Sequence, residues 1–82
     1  MSLDMMDFVM QVEETYGFEI PEADYEPLKT VGLLCEYIHK RSPQSEPDQI
    51  LQVVRQLISE NTGIPIAEIK PDSQWIDDLG FG

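Results

Sequence analysis

The sequence predicts an all-α domain, a small three- to four-helix bundle. Three observations predict it. Three stretches carry apolar residues at helical spacing, and none shows the alternation of a half-buried strand. The chain has 82 residues, enough for one modest core. Each helix must therefore contribute a buried face.

The first helix is expected from about Ser2 to Tyr16. Ser2 suits an N-cap, Asp4 and Asp7 fall near the positive end of the helix dipole, and Gly17 stands where a C-terminal stop belongs. The loop "GFEIPEADYEPLKT" follows, with one helical turn expected near Ala23 to Glu26 and Pro27 limiting it. The second helix is expected from Val31 to Lys40, capped by Thr30. Val31, Leu34 and Ile38 share a face, and His39, Lys40 and Arg41 suit its negative end. Residues 42–49, "SPQSEPDQ", read as a polar linker. The third helix is expected from Pro47 to Glu60, with Ser45 and Asp48 as a weak capping box and Gly63 ending it. Its stripe is Ile50, Val53, Val54, Leu57 and Ile58. The last stretch is irregular yet apolar, so Ile64, Ile66, Ile69, Trp75, Ile76 and Leu79 are expected to pack across the helices.

A helical wheel at about 100° per residue splits the first helix into two apolar faces. Met5, Phe8, Val9, Val12 and Tyr16 form one, a core face. Leu3, Met6 and Met10 form the other, bordered by Glu13 on one side and by Asp7 and Glu14 on the other. Both faces would be core if this helix stood at the bundle's centre; the acidic borders argue instead for an exposed strip. Methionine is flexible and polarisable and adapts to several partners. An acidic rim speeds encounter with basic ones.

Net charge is −11, from 16 acidic residues against five basic. That argues against nucleic acid, whose phosphates need Lys and Arg, and against insertion in an anionic membrane. It favours partners with basic docking patches, or solubility alone. Cys35 is the only cysteine, so no internal disulfide forms and no Cys/His cluster offers a zinc site. Neither a signal peptide nor a membrane span is visible, and the chain reads as cytoplasmic. His39 reads as a solvated helix-end residue and Cys35 as packing; no catalytic constellation is apparent, so the reading is a non-enzyme. Asp72, Asp77 and Asp78 do not have the spacing of a calcium loop.

The segment "SLDMMDFVMQVEETYGFEIPEADYEPLKTVGLLCEYIHKR" resembles the back half of an acyl carrier protein. In that family a Gly-x-Asp-Ser-Leu turn opens helix II, and its serine bears 4′-phosphopantetheine. The segment "ILQVVRQLISENTGIPIAEIKPDSQWIDDLG" resembles the front half: helix I, then a long loop with "I-x-P-D-S" and "D-D-L-G". The two matches cover almost the whole chain in reversed order, helices II-III-IV-I. The expectation is one acyl-carrier-like domain over 1–82, with the back half at 1–41, the linker at 42–49 and the front half at 50–82. A circular permutant has this order, and so does a fragment across two tandem carriers. The linker spans at most about 26–29 Å, enough to cross a small bundle.

The resemblance implies Ser2 as the phosphopantetheine site. It implies Leu3, Met6 and Met10 as partner-contacting apolar positions, with Asp4, Asp7, Glu13 and Glu14 as the acidic recognition surface. The function implied is a carrier that tethers acyl intermediates as thioesters and presents them to enzymes of fatty acid or related biosynthesis. Its partners would be a phosphopantetheinyl transferase and acyl-synthesising or acyl-transferring enzymes. The alternative is an acidic helical interaction module without a prosthetic group. Met1, not aspartate, precedes Ser2; if the initiator methionine is removed, the serine's own charged amine meets the positive helix end, so poor loading is expected. The short linker also favours a domain-swapped dimer that exchanges helix I.

Overall fold

The computed structural model describes residues 5–81. Its elements are α1 (Met5–Tyr16), a 3₁₀ turn (Glu22–Asp24), α2 (Val31–Arg41), α3 (Pro47–Thr62) and a second 3₁₀ turn (Ile66–Glu68). Among the described residues the only β pairing is an isolated antiparallel bridge between Thr30 and Gln74. The helical bundle expected from sequence is the fold found.

Helix α1 buries Phe8, Val9 and Val12, while Met5 and Tyr16 pack at the edge of the core. It ends as expected. Gly17 takes a φ of 75°, and its N–H closes on the Glu13 carbonyl at 2.8 Å. A side chain is strained at that φ, which glycine adopts freely.

Helix α2 buries Val31, Leu34 and Ile38. Thr30 is its N-cap, with Oγ1 accepting from the Leu33 N–H at 3.2 Å. The last loop satisfies two more of its first-turn donors: Val31 N–H reaches Ser73 O at 3.1 Å and Gly32 N–H reaches Pro71 O at 2.7 Å. Buried helix starts need such acceptors.

Helix α3 packs against both α1 and α2 and buries Ile50, Val54 and Ile58. It runs two residues past the expected end, to Thr62, and Gly63 (φ 78°) closes it. Its start differs from expectation. Glu46 is the N-cap and makes no side-chain cap bond; Ser45 turns back instead, its N–H bonded to Ser42 O. Pro47 has no N–H to cap, so this start needs less from the preceding residue. The connection between α2 and α3 is thus 42–46, and residues 47–49 form the first turn of α3.

The final segment contributes Ile69, Trp75, Leu79 and Phe81 to the core. Ile66 and Ile76, expected inside, are exposed, Ile76 by 72%. Turns set the course of the chain around Ile76. Ser73 Oγ accepts from the Lys70 N–H at 2.9 Å, and Asp78 Oδ2 accepts from the Gln74 N–H at 2.8 Å. Within the second turn the chain directs Trp75 inward and its neighbour outward.

Candidate functional site

Ser2, Leu3 and Asp4 lie outside the described residues. From Met5 onward the site is visible. Met6 and Met10 are 56% and 54% exposed on α1, away from buried Phe8, Val9 and Val12. Asp7 and Glu14 are exposed beside them. Glu13 is half-buried and does more than border the strip: its Oε2 accepts from the Ile20 N–H at 2.6 Å. The reversal at Gly17 brings Ile20 back to α1, and the carboxylate satisfies a donor there.

The core side of α1 borders a feature that no sequence pattern announced, a half-open cavity of about 440 Å³. Met5, Val9, Leu28, Leu34, Trp75 and Phe81 supply its apolar walls. Tyr25, Glu26 and Lys29 line it from the loop after α1, and Gln74 and Asp77 from the last loop. Trp75 is fixed by its indole N–H, which donates to Leu28 O at 2.7 Å. Phe8, Trp75 and Phe81 form an aromatic triad with centroids 5.3 to 5.8 Å apart. This triad joins the last described residue of the chain to the first half of α1. Phe81 carries no periodic signal in the sequence, because it follows the "DDLG" turn with no apolar partner at helical spacing.

The remaining reactive groups are occupied by the fold. His39 is part-buried rather than solvated, with Nδ1 at 3.0 Å from Ser45 O. Cys35 packs against the core, and burial, then the Glu36 charge, pushes its thiol up to about 11. A neutral thiol is a poor nucleophile. No group of acidic, His or Cys residues among those described could hold a metal ion. No described helix is long and apolar enough to cross a membrane.

Residues 2–38 match the family profile described as a phosphopantetheine attachment site. That span runs from Ser2 through α1, the first 3₁₀ turn and most of α2. Over it, the chain is similar to acyl carrier proteins. The acyl carrier protein of Lactobacillus johnsonii is 51% identical over 37 residues, 45% of this chain and 46% of that protein. That of Chlamydia trachomatis serovar D is 48% identical over 40 residues, 49% and 52% of the two chains. That of Thermotoga maritima is 42% identical over 40 residues, 49% of each. The chain spans about half the length of the curated relatives it matches. No solved structure matches it. The group implied by the matched profile is 4′-phosphopantetheine.

The described residues suit an apolar cargo carried on such a group rather than its polar arm. The cavity begins at Met5, three positions after Ser2, and its walls are largely apolar. That is the lining an alkyl chain prefers to water.

Proposed function

We propose that this chain is an acyl carrier, not an enzyme, and that residues 50–82 complete in permuted order the domain that residues 1–41 begin. The observation that carries the reading is the cavity: one wall is α1 of the acyl-carrier segment, and another is the aromatic pair Trp75 and Phe81 of the final segment.

Ser2 offers the hydroxyl on which 4′-phosphopantetheine would be esterified. When bound, that group supplies a terminal thiol able to hold an acyl chain as a thioester. The protein's own residues do the rest. Val9, Leu28, Trp75 and Phe81 keep water from an apolar chain. On the outer face of α1, Met6 and Met10 form an adaptable apolar contact, to which the resemblance adds Leu3. Asp4, Asp7, Glu13 and Glu14 guide a basic enzyme surface toward it. Phosphopantetheinyl transferase and acyl-handling enzymes of fatty acid or related biosynthesis are partners of that kind. The catalysis belongs to them; presentation belongs to the carrier. Such enzymes place the carrier in the cytoplasm. Exchange of α3 between copies is the association this order allows, and light scattering at high concentration tests it.

The experiment is loading. The chain is incubated with a phosphopantetheinyl transferase and coenzyme A, and the intact mass is read. Loading is expected to be weak in the present order and strong when 50–82 precede 1–41 with an aspartate before the serine. Ser2→Ala abolishes it in both. A rearranged chain that folds and is never loaded refutes the carrier reading and leaves an interaction module.

A further inference from the structure

The outer wall of the cavity is a strap, Ile20–Leu28, that leaves α1 and returns to α2. Both ends are tied down. Ile20 is buried and its N–H bonds the Glu13 carboxylate. At the other end Leu28 O accepts from Trp75. The middle is different. The 3₁₀ turn Glu22–Asp24 buries no side chain. Next to it, Tyr25 and Leu28 are only partly buried, and both face the cavity.

What ties this middle to α2 is polar. The Tyr37 hydroxyl donates to Asp24 Oδ2 at 2.8 Å. The Arg41 guanidinium stands 3.7 Å from the same oxygen. Arg41 also lies over the Tyr37 ring, 4.9 Å from its centroid, and Phe18 packs beside that ring at 6.3 Å. One carboxylate oxygen on the strap therefore meets two groups one helical turn apart on α2. A bond from a neutral hydroxyl to a charged acceptor is among the stronger side-chain bonds, while the exposed ion pair adds little.

We propose that Asp24, Tyr37 and Arg41 form a catch that holds the strap against the half-open cavity, and that its release widens the entry for an apolar chain between Tyr25 and Trp75. The inference rests on the reading of the cavity as an acyl-chain seat. The three residues are positioning residues: Asp24 and Tyr37 act on the cavity through Tyr25, the next residue on the strap. An apolar wall pinned by a polar bond at the protein surface can open without exposing the helix core. Ile50, Val54 and Ile58 of α3 need not move for it to do so.

The test uses Tyr37→Phe, which removes the donor hydroxyl and keeps the ring beneath Arg41. Asp24→Asn is the second variant, should the first perturb packing against Phe18. Two readouts apply to each. Native-state hydrogen exchange is followed at Tyr25 and Leu28, whose amides close the turns of the strap on Glu22 O and Tyr25 O. It is compared with exchange at Val54 and Ile58. Uptake of the neutral probe N-phenyl-1-naphthylamine is followed by quenching of Trp75, the sole tryptophan. Exchange at the strap is expected to rise about tenfold or more, with α3 unchanged and probe entry faster. Unchanged strap exchange in both variants overturns the proposal, and so does an equal rise in α3, which marks general loosening. If the strap loosens but the probe enters variant and parent at one rate, the catch does not gate the cavity and the proposal falls. If the probe enters neither, the acyl-seat reading fails, and gating fails with it. The exchange data still show whether the catch itself exists.

Discussion

Phe81→Ala tests whether the final segment is truly part of the core that α1 begins. The ring is 2% exposed. It sits 5.4 Å from Phe8 and 5.8 Å from Trp75, edge-on to the latter. Truncating a buried phenylalanine to alanine costs about 3–5 kcal/mol. The two aromatic contacts make up about 0.5–1.5 kcal/mol each beyond area burial. One side of the ring, however, borders the cavity, so its packing is already incomplete there. The lower figure, about 3 kcal/mol, is therefore expected. A domain of this length is stable by about 4–12 kcal/mol, so the loss is a large share of the whole. Urea unfolding followed by far-ultraviolet circular dichroism reads it without depending on Trp75, whose surroundings the change alters. The midpoint should fall at constant slope. Ile76→Ala, at an exposed site in the same segment, should stay within about 0.5 kcal/mol. A loss below about 1 kcal/mol for Phe81→Ala would refute the docking of this segment on α1.

Three further outcomes are expected. Gly32→Ala should destabilise by about 1 kcal/mol in thermal or urea unfolding, although alanine is the better helix former. A Cβ there meets Pro71 O at 3.0 Å, and that oxygen is held by the Gly32 N–H itself. Gln11 and Asn61 exchange amide hydrogen bonds across α1 and α3, at 3.3 and 3.1 Å. A double-mutant cycle to alanine should give a coupling of about 0.5–1.5 kcal/mol, and additivity would mean that the pair does not form. The Cys35 thiol, raised from 9.0 to about 11, gives stability a high-pH limb. Above about pH 9 the unfolded chain sheds this proton while the folded chain keeps it. Stability is therefore full below 9 and falls as pH rises through 11. Tyr16, Tyr25 and Tyr37 are raised chiefly by burial and add losses of the same sign above 10. Cys35→Ser should flatten the limb between 9 and 10, and an unchanged profile would contradict the burial of the thiol.

The helices were legible because each obeys one period. The wheel separated Phe8, Val9 and Val12 from Met6 and Met10, and burial divides them the same way. The Thr30 cap and the Gly17 and Gly63 stops were legible because each is a local fit of residue type to backbone angle. The last loop was not. Ile69 is buried and Ile76 is exposed, and no period distinguishes them; side-chain bonds from Ser73 and Asp78 set the turns that do. The polar ties were illegible for a related reason. Asp24 to Tyr37 and Trp75 to Leu28 join residues 13 and 47 positions apart, and a distant hydrogen bond leaves no mark on local pattern. The cavity belongs to the same class, since its lining comes from α1, the strap, α2 and the final loop.

The two faces of α1 give the carrier reading its mechanical content. Val9 faces the cavity and Met10, the next residue, faces solvent. Cargo and partner would therefore meet neighbouring faces of one 12-residue helix, about 100° apart around its axis. Glu13 joins the two, since it stands in the acidic border of the strip while its carboxylate holds the start of the strap. A basic enzyme surface can pair with Glu13 through Oε1 while Oε2 keeps the Ile20 N–H. Asp7 and Glu14 are exposed, and pairing with them asks nothing of the strap. The acidic border is thus not uniform. Its exposed members can serve encounter alone, whereas Glu13 also anchors the start of the strap.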